Sequence, residues 1–500
     1  MIACIIFTLY ISICCVVESF FVGRSSKLLS QSSLVGRHCN YLKYNLSYKN
    51  EILDTVRGAQ CYLPGEQRIQ RWIQEKWKEL SEDFGFQEYS MSVLAPTKIF
   101  ENANTSEDNE HFKELYTFKD AKGRNISLRG DATPQFMWLI RRFIDDEPQL
   151  PSNITKFYAI SDCWRYERPS YCRRRNHTQW NLDIIGIATL DAEIELIYML
   201  ISFLKSVGFS SDDLYIHLNH KDSTSALLKL LGISEYTPEW LYKFQKTLDK
   251  YKRISENEFF ESLINIGLTH IQCSRLRQLI STCLSISDIE NIFGESGGFV
   301  KQLRTIYNGL SFLGISDWIK IDLTIVRGND YYTGLVFECF DRHNISQRAI
   351  AGGGRYDKYF GEAENDERLK FAVGLGMGNI GIINLLKERN LVPKHECSVD
   401  IVVHIPPIGI NIESNQRSSL LSLVRKLRDN NIFVYQYYKS AKLKKALEYA
   451  DKCAAKFIIS PMPDEESFLL KDLGKNKQEV LTDTKDIADV ILERLNNYNT

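Results

Sequence analysis

Three consecutive arginines, Arg173, Arg174 and Arg175, join two strand-like runs in FYAISDCWRYERPSYCRRRNHTQWNLDIIGI, residues 157–187. Side chains of an extended strand alternate between two faces. On the first run Arg165 and Glu167 share a face, opposite Trp164 and Tyr166. On the second, Gln179, Asn181 and Asp183 share a face, opposite Trp180, Leu182 and Ile184. The two polar faces can line one floor. Guanidinium groups at its mouth suit phosphates, whose oxygens a planar fork binds in pairs. The acceptors deeper in suit a small polar ligand. A solvated hairpin with a basic tip fits the same pattern equally well.

Three further segments could carry chemistry. In IVRGNDYYTGLVFECFD (325–341) Arg327 ends an apolar strand and Tyr331 and Tyr332 precede another. That is a common ligand arrangement and also a common structural corner. In AGGGRYD (351–357) three glycines permit close backbone approach or make a turn. The segment is not a phosphate-binding P-loop, which needs GxxxxGK[ST]. FAVGLGMGN (371–379) spaces glycines two apart on a strand, which permits close packing against a flat ligand.

The elements that must position these groups are legible by period. Ile69, Trp72, Ile73, Trp77, Leu80 and Phe84 mark a helix from Pro64 to Phe84, ended by Gly85. A second helix starts at Asp191 as its N-cap and runs to Gly208. Strands are expected at 156–160, 180–187, 322–327 and 335–340. Residues 235–305 are rich in Lys, Glu, Leu and Ile and read as an inserted helical module. From Cys397 strand and helix alternate: strands at 399–405, 432–438 and 456–461, helices at 417–430, 441–453 and 488–495. That order predicts a small α/β domain with a mostly parallel sheet.

The chain has 500 residues, 62 basic against 63 acidic, and 44% hydrophobic residues. Ordinary globular composition excludes wholesale disorder, collagen-like repeats and a polytopic membrane protein. The net charge of −1 means that nucleic acid must meet a local patch. Twelve cysteines with no CxxC pair, and nine histidines with no HExxH, argue against a zinc site or a disulfide framework.

Residues 2–17 are apolar enough for a signal-peptide core and short for a bilayer span. From Phe20 to Asn50 there are five basic residues, six serines and no acidic residue, the composition of a transit peptide. This two-part leader, residues 1–50, resembles those that send proteins through the secretory route to a secondary plastid such as the apicoplast. A mitochondrial, cytoplasmic or ER location is the alternative. Without residues 1–50 the chain carries 57 basic and 62 acidic residues, a net of −5.

Taken in order, WRYER…RRRNHTQWNLDIIG, RGNDYYTG, AGGGRYD and VGLGMGN resemble the histidyl-tRNA synthetases, class II aminoacyl-tRNA synthetases, in their plant-organelle and cyanobacterial form. The resemblance covers roughly residues 51–495. It implies an α+β fold: a six-stranded antiparallel catalytic core over 51–396, a helical insertion at about 235–305, and a C-terminal α/β anticodon-binding domain at 397–500. It implies ATP and Mg²⁺, L-histidine and tRNA(His), a homodimer, and a histidyl-adenylate intermediate, with no protein-only metal site.

Residue by residue, the resemblance implies Arg165 and Arg327 on the α-phosphate, both also touching histidine. Glu167, Arg173 and Arg175 would hold adenine and the outer phosphates. Asp131 and Thr133 would bind the amino group of the substrate and Gln179 its carboxylate. Asp183 and Tyr332, with Tyr331 alongside, would hold the imidazole. Three positions depart from the family pattern. The amino-group segment is Arg129-Gly130-Asp131 rather than Arg-Pro-Glu. Ser92 stands at the motif 1 proline. Gly381 stands where a third-motif arginine would grip the γ-phosphate, so that grip is expected from the loop at 169–175. A non-catalytic relative, regulatory or tRNA-sensing, is the rival reading. For tRNA, the expected surface lies at 421–446, with Arg425, Lys426, Arg428, Lys439, Lys442, Lys444 and Lys445.

Overall fold

One eight-stranded sheet carries Gln179, Asn181 and Asp183 and the glycine runs at 351–355 and 372–378. The computed structural model describes residues 56–498, except 102–112, 147–154, 327–330, 362–365, 394–398, 408–413 and short breaks at 253, 281–283, 296, 344, 346–347, 441, 464–466 and 483. The leader at 1–50 and Arg327 lie outside the described residues. The chain divides into two compact units, Met1–Asn390 and Leu391–Thr500.

The first unit begins with α1 (Pro64–Asp83), β1 (Gln87–Glu88), β2 (Leu94–Pro96), α2 (Thr97–Glu101), β3 (Thr117–Lys119), β4 (Asn125–Leu128) and α3 (Thr133–Asp146). The long hairpin follows, β5 (Lys156–Trp164) and β6 (Asn176–Ile185), then α4 (Asp191–Ser206) and β7 (Leu214–His220). Next come the helices α5 (Asp222–Leu230), α6 (Pro238–Asp249), α7 (Glu256–Asn265), α8 (His270–Ile280), α9 (Ile286–Phe293) and α10 (Gly298–Phe312). The unit closes with β8 (Ile319–Ile321), β9 (Leu335–Asp341), β10 (Ala351–Arg355), α11 (Glu367–Lys370), β11 (Ala372–Gly378) and α12 (Asn379–Glu388).

The main sheet has the order β1-β5-β6-β11-β10-β9-β7-β8. Its six central strands pair antiparallel, as expected, and a short parallel strand is added at each edge. The other sheet of this unit is the three-stranded β2-β4-β3.

One face of the main sheet is buried by helices. Ile73 and Trp77 of α1 and Trp180 of β6 are fully buried, and the two indoles stack with centroids 5.8 Å apart. The Trp180 Nε1–H donates to Ser81 Oγ at 2.9 Å, and that hydroxyl donates to Trp77 O at 2.7 Å, so the indole dipole is satisfied inside the core. α4 is buried on most of its surface. α10 crosses it at Gly309, where a Cβ would lie 2.5 Å from Ile194 Cδ1. Asp191 is not the N-cap of α4. Leu190 holds that place without a side-chain bond, and Asp191 sits in the first turn, where its charge suits the helix dipole.

The apolar run expected as a strand at 322–327 is not one over its described residues, 322–326. Asp322 Oδ1 accepts from the Thr324 N–H at 2.9 Å and from its hydroxyl at 2.6 Å, which turns the chain after β8. Between β7 and β8 the helices α7 and α9 each begin with a reciprocal capping box, at Ser255/Glu258 and Ser285/Asp288.

The second unit contains β12 (Ile401–His404), α13 (Ser414–Asp429), β13 (Val434–Tyr437), α14 (Leu443–Lys452), β14 (Phe457–Pro461), β15 (Phe468–Asp472), β16 (Lys477–Leu481) and α15 (Thr484–Tyr498). Its sheet order is β13-β12-β14-β15-β16, with three parallel strands followed by two antiparallel ones. The alternating part was legible by period. The β15–β16 hairpin was not, because KQEVL is largely polar and forms the outer strand. Leu420, Leu423, Leu427, Phe457, Ile459, Ile487 and Ile491 form the core of this unit.

Candidate active site

Cross-strand register sets the floor of the site. On β6 the alternation puts His177, Gln179, Asn181 and Asp183 on one face, and Trp180, Leu182 and Ile184 in the core. Gln179, Asn181 and Asp183 lie opposite Gly378, Gly376 and Gly374 of β11. Gly376 in turn faces Gly352 of β10, which faces Glu338 of β9. Phe340 of β9 faces Tyr215 of β7. Two strands of glycine thus separate two polar or aromatic borders. The spacing is required: a Cβ on Gly376 would lie 2.6 Å from Gln179 Nε2, and one on Gly374 would lie 2.7 Å from Asp183 Oδ1. Above the glycines is a cavity of about 490 Å³.

Asp131, Thr133, Arg165, Glu167, Arg173, Gln179, Tyr331 and Tyr332 all line it. Arg165 is aimed by its Nε–H, which donates to Gly130 O at 2.7 Å, and by its backbone N–H on Arg175 O at 2.9 Å. Burial works against its charge. Asp131, with Glu167 and Glu114, more than offsets this and holds its pKa above the ordinary arginine value. Glu167 is buried and accepts a hydrogen bond from Arg173, so these two form an ion pair in the wall. Gln179 Oε1 and Asn181 Oδ1 are buried and make no hydrogen bond in the structure. An orphaned buried acceptor is costly unless a ligand completes it.

Arg175 and Asp183 are placed differently from the rest. The guanidinium of Arg175 lies over the Tyr166 ring, 4.0 Å from its centroid, and is not part of the cavity lining. Asp183 sits behind the floor. Its Oδ1 accepts from the Tyr356 hydroxyl at 2.5 Å and its Oδ2 from the Tyr89 hydroxyl at 3.4 Å. Burial pushes the Asp183 carboxyl up to about 7, with a further push from Asp131, against the pull of both hydroxyls. Asp183 therefore reaches the cavity through Tyr356, whose ring lines it. The Tyr331 ring packs 4.8 Å from that of Tyr332 and 5.7 Å from that of Tyr356.

Sequence reasoning missed Tyr356, Tyr89 and His177 as site residues. The signal for His177 was present, since it shares parity with Gln179. Its imidazole lines the cavity, and burial together with the Arg165 charge pushes its pKa down to about 3, so the ring is neutral. Tyr356 and Tyr89 carry no such signal, because only the packing of distant segments brings them to Asp183. Arg355, in AGGGRYD, points away from the cavity. Its Nε–H and one terminal N–H donate to the two Glu193 oxygens at 2.5 and 2.6 Å. The remaining N–H groups reach Ile187 O, Thr189 O and Asp357 Oδ1 at 3.0–3.2 Å.

The arrangement can hold a flat, polar molecule and an oxyanion on one floor. Residues 58–378 match the family model of histidyl-tRNA synthetase. The chain is 31% identical over 413 residues to the chloroplastic/mitochondrial histidine–tRNA ligase of Arabidopsis thaliana, covering 82% of this chain and 81% of that one. It is 26% identical over 428 residues to the histidine–tRNA ligase of Leptospira biflexa, covering 85% and 94%. In fold it is similar to the crystal structure of histidyl-tRNA synthetase from a Nostoc species, with a TM-score of 0.67 at 19% identity over 89% of this chain and 100% of that one. The family match spans the glycine floor from β6 to β11, and this chain belongs to the histidyl-tRNA synthetase family.

Proposed function

We propose that this chain attaches histidine to tRNA(His) in two steps. A carboxylate oxygen of L-histidine attacks the α-phosphorus of ATP, the bond to the bridging oxygen breaks, and pyrophosphate leaves. The histidyl group then passes from the adenylate to the 3′ end of the tRNA. The observation that carries this reading is the glycine floor, which brings orphaned amide acceptors and three arginine side chains into one cavity. Asp131 and Thr133 take the amino group, and Gln179 the carboxylate. Tyr331, Tyr332 and Tyr356, backed by Asp183, frame the imidazole, where hydroxyls and an acceptor select for both ring nitrogens. Arg165 stabilises the charge that builds on the α-phosphate, with Arg327 as its partner. Glu167 and Arg173 attend to adenine and the outer phosphates. No protein nucleophile is needed, since position and electrostatics supply the rate.

Magnesium would arrive on the nucleotide. Among the described residues no group of three or more His, Cys, Asp or Glu is placed to hold an ion, so phosphate oxygens and water would supply most of its ligands. The homodimer is favoured by exposed apolar side chains on the small sheet and α3, Leu94, Phe118, Trp138 and Phe143. An organellar role is favoured by the composition of residues 1–50 and by the relative of chloroplasts and mitochondria; entry into a plastid through the secretory route is the finer form of that proposal. No described helix is long and apolar enough to cross a membrane.

The test is histidine-dependent ATP–pyrophosphate exchange. Exchange with histidine and with no other amino acid is expected. A folded protein without exchange would sink the catalytic reading in favour of a tRNA-sensing or regulatory one. Arg165→Ala and Arg327→Ala should each lower exchange by at least ~100-fold, as removal of a charge-stabilising donor does, with unchanged circular dichroism.

A further inference from the structure

Gly381 lies buried in the first turn of α12 and lines the cavity. A Cβ there would meet Cys172 Sγ at 3.2 Å and Ile350 Cγ2 at 3.9 Å. The β5–β6 loop and the segment entering β10 thus crowd this position, and a β-carbon there would press on the Cys172 thiol.

The same corner receives a cation from another direction. Alternation on β10 puts Gly352 and Gly354 on the cavity face, and it continues outward to Ile350 and Arg348. The Ile350 N–H donates to Cys339 O at 2.8 Å, so pairing with β9 extends beyond the strand. Arg348 is half-buried and lines the cavity with Cys172, Arg173, Ile350 and Gly381. Its charge is felt at Cys172. Burial pushes that thiol up to about 11, and Arg348 is the foremost opposing charge, ahead of Arg173. The N-terminal turn of α12 opens here too, through Gly378, Ile380 and Gly381, and adds the positive end of its dipole. Among the carboxylates that line the cavity, Glu167 pairs with Arg173, and Asp341 accepts from the N–H groups of His343 at 3.2 Å and Ile345 at 2.6 Å. A fork, a second guanidinium and a helix N-terminus around one corner suit the most highly charged part of the nucleotide.

We propose that Arg348 grips the terminal phosphates of ATP, doing from the segment that enters β10 what Gly381, having no side chain, does not do from α12. The assignment rests on the ATP-dependent reading above. It makes Arg348 a binding residue for the triphosphate, with no part in holding adenosine, histidine or the adenylate.

The experiment compares full-length wild type, Arg348→Ala and Arg348→Lys. ATP–pyrophosphate exchange gives KM for ATP, competition gives the affinity for AMP, and a single-turnover assay follows histidyl transfer from preformed adenylate to tRNA. Arg348→Ala should raise KM for ATP about tenfold or more, the usual cost of losing a charge-assisted bond to phosphate. AMP affinity and transfer from the adenylate should hold, since neither involves the outer phosphates. Arg348→Lys should recover part of the loss, restoring the charge without the fork. A wild-type KM for ATP in Arg348→Ala would overturn the assignment, as would equal losses for ATP and AMP. If wild type shows no exchange, the catalytic reading alone fails. Calorimetric binding of ATP against AMP on the same three proteins then still decides where Arg348 acts.

Discussion

Glu193→Ala should be the most damaging conservative truncation in the first unit, although Glu193 touches no substrate. Its side chain is fully buried on α4 and that of Arg355 is 6% exposed. The guanidinium uses all of its donor directions, two on Glu193, two on backbone carbonyls and one on Asp357. Truncation leaves two charged donors facing an apolar gap, with Asp357, 22% exposed, as the remaining counter-charge. Losing one partner of a buried ion pair costs about 3–5 kcal/mol. Glu193→Gln, which keeps one acceptor, should cost less, about 2 kcal/mol. Urea unfolding followed by tryptophan fluorescence is the assay. All seven tryptophans lie before residue 319, so the signal reports the first unit alone. Because Arg355 faces away from the cavity, kcat per folded molecule should stay near wild type. A loss below about 1 kcal/mol for Glu193→Ala, the range of a solvent-screened pair, would refute the view that this clamp holds the corner carrying Tyr356.

Asp183 makes stability pH-dependent. Its folded pKa is raised from 3.8 to about 7, so the native state binds the proton more tightly than the unfolded chain. Its contribution is full below pH 3.8, declines as pH rises and is gone above about 7. Urea titrations of wild type and Asp183→Asn should differ with that slope, and parallel curves would contradict it. Gly376→Val should raise KM for histidine sharply with little loss of fold, because its β-carbon would take the space of the Gln179 amide. Unchanged kinetics would mean the floor is not the substrate surface. In the second unit, Lys444 and Lys445 are exposed and make no ion pair among the described residues, whereas Lys426 is paired with Asp489 at 3.0 Å and Arg425 with Asp429 at 3.6 Å. The Lys444→Glu, Lys445→Glu double variant should weaken tRNA binding and flatten its salt dependence while sparing exchange. An unaltered salt slope would move the tRNA contact elsewhere.

Strand alternation and helical period are local properties, and they exposed much of the site in advance. The shared face of Gln179, Asn181 and Asp183 follows from parity alone, as do the burial of Trp180 and the stripe on α1. The glycines at 352, 354, 374 and 376 could be seen as permissive but not as one floor, because that depends on which strands pair and in what register. The same limit applies to Arg355, since nothing local in AGGGRYD shows that α4 brings Glu193 beneath it. It explains Asp183, whose carboxylate is taken up by Tyr356 and Tyr89 from segments far away in the chain. It also explains Arg175, whose guanidinium is drawn onto the neighbouring Tyr166 ring rather than into the cavity. The residue types and their spacing determined which chemistry this protein could do. Tertiary packing decided which of those groups face the cavity, which hold others in place, and which corner receives Arg348, because sequence fixes the period of each strand and only long-range pairing fixes its neighbours.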